Sequence, residues 1–272
     1  YNTDHKAFWE WFCANVKSDY LEFVPDAFSS SDFEVENREV EKPKFIERLN
    51  TKQDIDLIFA MGTWAGQDLA NDEVSVPSVI ASSSNPLASG IITSVEDSGW
   101  DHIHAKMEPD RYERQVRLFH DIIGFQRLGI VYEDSEEGLT YGGIESVRAV
   151  AEERGFELVE CLAEFSNVSK EEARANVATC YAEIADKIDA SYITVHRGVT
   201  LANMPNILGP LNENKVPTFS MKGSEEVSHG VLLSIAQAEF RYVGLFHAEV
   251  IAKILNGAVP REITQAWNAP LK

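Results

Sequence analysis

From about residue 55 onward, the chain alternates short apolar runs rich in β-branched residues with longer stretches whose apolar residues recur at helical spacing. That order is the signature of parallel βαβ units, because two parallel strands can be joined only by a crossover long enough to hold a helix. The strand candidates are residues 55–61, 78–82, Arg127–Tyr132, Glu157–Leu162, 190–195, Thr218–Ser220 and 230–235. After Val168, Ser169 and Glu172 have capping-box spacing, and Val177, Cys180, Tyr181, Ile184 and Ile188 then form one apolar stripe. A second long helix over 239–255 groups Phe240, Val243, Val250, Ile251, Ile254 and Leu255 and ends at Asn256-Gly257. Ahead of residue 55 the pattern predicts an aromatic helix over 8–16, a strand over 33–40 and a helix over 43–52.

The series divides near residue 124, after a helix over Arg111–Ile123, and no proline- or serine-rich tether separates the halves. A length of 272 residues suits two lobes, so the expectation is two Rossmann-like parallel-sheet lobes of an α/β protein meeting at a tight hinge. In such folds ligands gather outside the carboxyl ends of the strands, which makes the loops after each strand the place to look for function.

The 44 acidic residues outnumber the 24 basic ones, giving a net charge of −20 that repels nucleic acid and anionic membrane surfaces. Cys13, Cys161 and Cys180 are odd in number and lack CxxC spacing, so neither a zinc site nor a disulfide framework is expected, and each reads as a small core residue. No run approaches the length of a membrane span, and neither a signal peptide nor a lipid-attachment cysteine opens the chain.

Five strand-end segments carry candidate binding chemistry. Gly62-Thr63-Trp64-Ala65 enters a helix, so its amides suit a ligand carboxylate. Ser83-Ser84-Asn85 offers hydroxyls and an amide after the next strand. The loop after Tyr132 brings Ser135, Thr140 and Tyr141 but no G-x-G-x-x-G, so no dinucleotide site is expected. His196-Arg197 follows the strand ending at Val195, and an arginine there can grip an acidic group through two parallel hydrogen bonds. Met221-Lys222 occupies the equivalent place after the following strand. His102 and His104 would share one face of a strand, but no third ligand is spaced to join them, so no metal site is expected. The chain lacks G-x-S-x-G, the P-loop and H-E-x-x-H, which points away from an enzyme and from any cofactor.

With these segments in view, the chain resembles the ABC transporter substrate-binding proteins that include the tryptophan- and tyrosine-type aromatic amino-acid receptors. The likeness runs over about residues 33–268. It rests on Asp56-Leu-Ile-Phe-Ala-Met-Gly-Thr-Trp-Ala-Gly-Gln67, on the segment from Pro77 to Gly90 with Asn85-Pro86, on Arg127–Tyr132 with Ser135-Glu136, and on 230–235. The resemblance implies the type I periplasmic-binding fold, with one lobe formed by 1–123 plus 237–258 and the other by 124–236 plus 259–272. It also implies capture of a small ligand by hinge closure, delivery to the membrane permease of an importer, and a monomer in the periplasm or outside the cell. A lipid anchor would lie in a segment upstream of Tyr1. Relatives carry an Asp-Asn pair where this chain has His196-Arg197, and proline where it has Trp64, so the expected ligand is small and carboxylated, of an aromatic or amino-acid-like kind. A first strand is expected before Tyr1, with Tyr1 and Asn2 on its ligand-facing loop, and a last strand and helix are expected near or after Lys272. The alternative role on the same fold is a ligand-sensing input domain of a signalling protein.

Overall fold

The computed structural model describes residues 21–24, 26–31, 35–235 and 240–267, so the helix expected over 8–16 lies outside the described residues. Two parallel sheets organise the chain. The first contains β1 (Ile58–Ala60), β2 (Ser78–Ile80) and β3 (Ile103–Ala105) in the order β1-β2-β3. The second contains β4 (Arg127–Tyr132), β5 (Glu157–Leu162), β6 (Ala190–Ile193) and β7 (Thr218–Ser220) in the order β5-β4-β6-β7. Every pairing between these strands is parallel, with register such as Val79 opposite His104 and Ile130 opposite Tyr192.

Alternation along each strand feeds a separate apolar layer on either side, which is the reason both sheets are sandwiched by helices. In the first sheet, Ile58, Ala60, Ile80, Ile103 and Ala105 pack against Ile46 and Leu49 of α1 (Val35–Lys52) and Leu69 of α2 (Thr63–Leu69). On the opposite face, Phe59 and Val79 meet Val250 and Ile254 of α9 (Phe240–Leu255). In the second sheet, Leu128, Ile130, Tyr132, Tyr192 and Phe219 face α3 (Arg111–Ile123) and α5 (Ile144–Arg154). Val131 and Ile193 face α6 (Lys170–Ile184) and α7 (Met204–Glu213). Two short helices, α4 (Glu136–Gly142) and α8 (Ser224–Val227), sit directly after β4 and β7.

Two connections carry elements across the expected lobe boundaries. Helix α3, which ends at the expected division, buries Tyr112, Val116 and Phe119 in the core of the second sheet. The segment after Val259 returns to the first sheet instead. Gln265 Oε1 accepts the Ala105 amide, and Met107 and Trp267 continue the pairing through a bridge at Ala266.

Three expectations need correction. Residues 35–40 are not a strand: they open a single helix that runs through Pro43 to Lys52. Val35 and Val40 are exposed, so their spacing is not a buried face, and Glu36, Arg38 and Glu39 favour helix. Pro43 removes one helical hydrogen bond, but both Pro43 and Glu39, whose carbonyl is freed, lie at the surface. The return strand over 230–235 is reduced to one bridge between Leu233 and Phe219. Finally, Cys161 of β5 and Cys180 of α6 form a disulfide with 5.6 Å between their Cα atoms. The pairing arises because α6 folds back over β5, and spacing in the sequence does not show that return. The Ser169–Glu172 capping box that starts α6 is fully formed.

Candidate functional site

Because every strand in both sheets is parallel, the loops after them collect at one edge of each sheet. At the end of β1 the chain turns through Gly62, whose φ of +103° is open to glycine and costly for other residues, and enters α2. Thr63 is buried, and its hydroxyl lies 3.3 Å from that of Ser83, which follows β2. Ala65 packs inward onto the first core. Asn85 caps its own turn, its side-chain oxygen accepting the Ala88 amide and its carbonyl accepting from Ser89. The Ser84 carbonyl accepts from the hydroxyl of Tyr112 at 3.0 Å, which ties α3 on the second sheet to the loop after β2 on the first.

The second sheet answers with α4. Ser135 is its N-cap, accepting from the Gly138 amide and donating to Glu133. Thr140 is buried in the same helix. Tyr141 places its hydroxyl beside Thr63 and within reach of the charge on Arg38, while burial pushes its phenol pKa up. Its ring stacks with Phe165 at 6.2 Å between centroids, and Phe165 in turn meets His196 edge-on at 4.8 Å. At Gly143, φ is +60° and an added Cβ would stand 2.8 Å from the Tyr112 ring, so the end of α4 lies directly on that connecting tyrosine.

The structure also shows what each expected polar residue is bonded to. His196 donates from Nε2 to the Ala163 carbonyl and accepts the Gly198 amide at Nδ1. Both ring nitrogens are thereby occupied, and burial holds its pKa below the ordinary histidine range. Arg197 directs Nη1 at the carbonyls of Phe165 and Val168, fastening the loop after β5. Met221 is core, with its sulfur accepting the Val195 amide. Lys222 pairs with the buried Glu226 at 3.1 Å. The rings of His102 and His104 reach the carbonyls of Leu69 and Thr264 on different sides, and no group of three or more His, Cys, Asp or Glu among the described residues is arranged to hold a metal.

Three residues that the sequence reading did not select belong to this site. Arg38 of α1 forks onto Asp68, with Nη2 at 2.8 Å and Nε at 3.1 Å, and its guanidinium stands 5.0 Å from the centre of the Trp64 ring. The indole N–H of Trp64 is buried without a hydrogen-bond partner among the described residues. Phe165 is the ring behind Tyr141. Glu133, the residue after β4, is a buried carboxylate that accepts from Ser135, from both the amide and the hydroxyl of Ser166, and from the Phe165 amide. Burial pushes its pKa up, but these hydrogen bonds outweigh that and hold it below the ordinary glutamate range. An open depression of about 710 Å³ lies at the opposite edge of the first sheet, among Asn71, Trp100 and Arg261, away from all of these groups.

Two parallel sheets in α/β/α layers, meeting through their strand-end loops, define a two-lobed binding protein of the type I periplasmic-binding fold. The chain belongs to the ABC transporter substrate-binding protein family, whose description matches residues 29–269. It is 23% identical over 204 residues to a tyrosine-binding protein of Clostridioides difficile, covering 74% of this chain. The chain spans 55% of the length of that curated relative. Among solved structures it superposes with a TM-score of 0.65 on an ABC domain in complex with L-Trp from Streptococcus pneumonia, at 18% identity over 85% of this chain and 74% of the other. It also superposes, with a TM-score of 0.56 and 21% identity, on the ligand-free, open form of a substrate-binding protein with adhesive properties from Clostridium difficile, over 88% and 72% of the two chains. No helix among the described residues is long and apolar enough to cross a membrane.

Proposed function

We propose that this chain is the receptor of an ABC importer and takes an amino-acid-like ligand with an aromatic ring between the loops at the carboxyl ends of its two sheets. The observation that carries the reading is the meeting of Thr63 and Ser83 from the first sheet with Tyr141 from the second. A polar edge there faces a ring already backed by Phe165, and Trp64 under Arg38 supplies a second flat surface. Flat apolar walls with a few oriented hydroxyls suit an aromatic ligand. The ligands of the relatives, tyrosine and L-Trp, support the same class.

Closure acts on the ligand without making or breaking a bond, and it is favoured only by contacts made in the closed state. The lobes are proposed to divide by packing, with α3 moving with the second sheet and residues 259–267 with the first. A location outside the cytoplasm accords with the Cys161–Cys180 disulfide, which persists in oxidising compartments. Delivery to a membrane permease follows from the family role.

Calorimetric titration with L-tryptophan and L-tyrosine tests the reading. Saturable binding is expected, weakened about tenfold or more in Tyr141→Ala through loss of the ring contact and its hydroxyl. Absence of heat with both amino acids, together with thermal stabilisation by a neutral sugar, would refute it.

A further inference from the structure

Between the first sheet and α9, three buried ring nitrogens have no hydrogen-bond partner among the described residues: Nδ1 and Nε2 of His247, and Nδ1 of His104. His247 is 5% exposed and His104 is fully enclosed. Phe59 and Phe246 wall these rings at centroid distances of 5.5–5.7 Å and offer no polar atom. The Ala81 backbone, just past the end of β2, lies beside His247 but outside hydrogen-bonding geometry. Buried polar groups without partners are rare in native proteins, and each such group calls for a bound species to satisfy it.

Lys106 directly follows β3 two residues after His104, so strand alternation turns its side chain to the α9 side where His104 meets Phe246, and its charge acts on His247. Its ammonium stands 4.6 Å from the centre of the Trp267 ring, and it forms no ion pair with any carboxylate among the described residues. Glu108, the acid whose charge it feels, is held by Arg114 at 2.9 Å and faces Arg111 at 3.9 Å. Burial and the nearby Arg111 push the Lys106 amine down to about 8, and burial and the Lys106 charge push His247 down to about 4. A half-buried cation and buried ring nitrogens are thus gathered without an uncommitted acid among the described residues, in a chain of net charge −20.

We propose that Lys106 and His247 form an oxyanion-binding subsite at the carboxyl ends of β2 and β3, against α9. The ammonium supplies the charge and the imidazole an N–H donor, the pair that a carboxylate or phosphate oxygen needs to leave water. The oxyanion is either the acid group of the captured ligand, which rests on the amino-acid reading above, or a free inorganic anion, which does not. The ligand's acid group is the favoured source, because the two groups stand at the carboxyl edge of the first sheet, where ligands of such folds gather.

Long-range 1H–15N spectra of the histidine rings at pH 7 test the subsite. Sodium phosphate is titrated against sodium chloride at equal ionic strength, and L-tryptophan against tryptamine, which lacks the carboxylate. A saturable shift of the His247 nitrogens is expected with L-tryptophan but not tryptamine, weakened at least about tenfold in Lys106→Met and largely restored in Lys106→Arg. Saturation by phosphate alone assigns the site to a free anion and still supports it. If neither phosphate nor L-tryptophan moves His247 in the wild-type protein, the subsite is water-filled and the inference falls, whether or not Lys106→Met folds. Calorimetric binding of L-tryptophan with His247 unmoved leaves the amino-acid reading standing and removes only this one.

Discussion

Breaking the Cys161–Cys180 bridge should unsettle the second sheet far more than the first. The bridge ties β5 to α6 across a sequence separation of 19 residues. Closing a loop of about 20 residues in the unfolded chain removes entropy worth about 3 kcal/mol at 25 °C. For a unit of lobe size that corresponds to a melting shift of about 10 °C. The perturbation is the double variant Cys161→Ala/Cys180→Ala, compared with wild type by urea unfolding and calorimetry in the absence of reductant. Where the lobes melt separately, only the transition belonging to the second sheet should move. Thiol titration of the denatured, unreduced wild type should also find two fewer free thiols than after reduction. An unfolding free energy within about 0.5 kcal/mol of wild type would refute the reasoning, as would two reactive thiols at these positions in the native protein.

Three other changes test separate parts of the structure. Glu133→Ala leaves the amides of Phe165 and Ser166 without their acceptor, and it should cost about 2–4 kcal/mol in urea unfolding while weakening ligand binding through the displaced Phe165 ring. His104 has a folded pKa lowered from 6.5 to about 4 by burial. The unfolded chain therefore binds the extra proton between these values, and stability is complete above about pH 6.5 and falls as pH drops toward 4. The His104 share is about 3 kcal/mol, so in phosphate-free buffer a His104→Gln variant should show a flatter urea midpoint over that window than wild type. Arg38→Ala breaks a partly exposed ion pair, and it should cost no more than about 1 kcal/mol of stability. The same change should weaken an aromatic ligand several-fold by removing the cation over Trp64, as read by calorimetry.

The parts of the fold legible in the sequence are those set by local signals. β4 and β5 have the bounds expected from their apolar runs, and the Ser169–Glu172 pair starts α6 as its spacing required. Where the reading went astray, the deciding forces were tertiary. Residues 33–40 read as a strand, yet Val35 and Val40 are both exposed on a helix whose burial begins only at Ile46. That error had a functional consequence. Read as a strand, residues 33–40 gave no reason to consider Arg38, whereas the helix carries its guanidinium over to Trp64 and Asp68 on α2. The cysteines likewise look unrelated until α6 is laid back on β5.

Placement alone does not say which strand-end groups have bonding capacity to offer. Every loop at the carboxyl edge is rich in polar atoms, but a loop must first satisfy its own backbone. His196, Arg197, Ser135 and Asn85 do this, each joining backbone amides or carbonyls that would otherwise be left unpaired. Arg197, picked out for its chemistry, supports its neighbours instead: with Glu133, which the sequence did not point to, it holds the loop that sets Phe165 behind Tyr141. Groups with capacity left over are better guides to ligand chemistry. On the first sheet these include the Trp64 N–H, His247 and Lys106. Two of them lie where β2, β3 and α9 meet, near Ser83–Asn85 but among residues that the sequence does not single out for ligand binding. On the proposed subsite, the ligand's acidic group moves from the His196-Arg197 loop of the second sheet to the first, with its ring left to Tyr141 and Trp64.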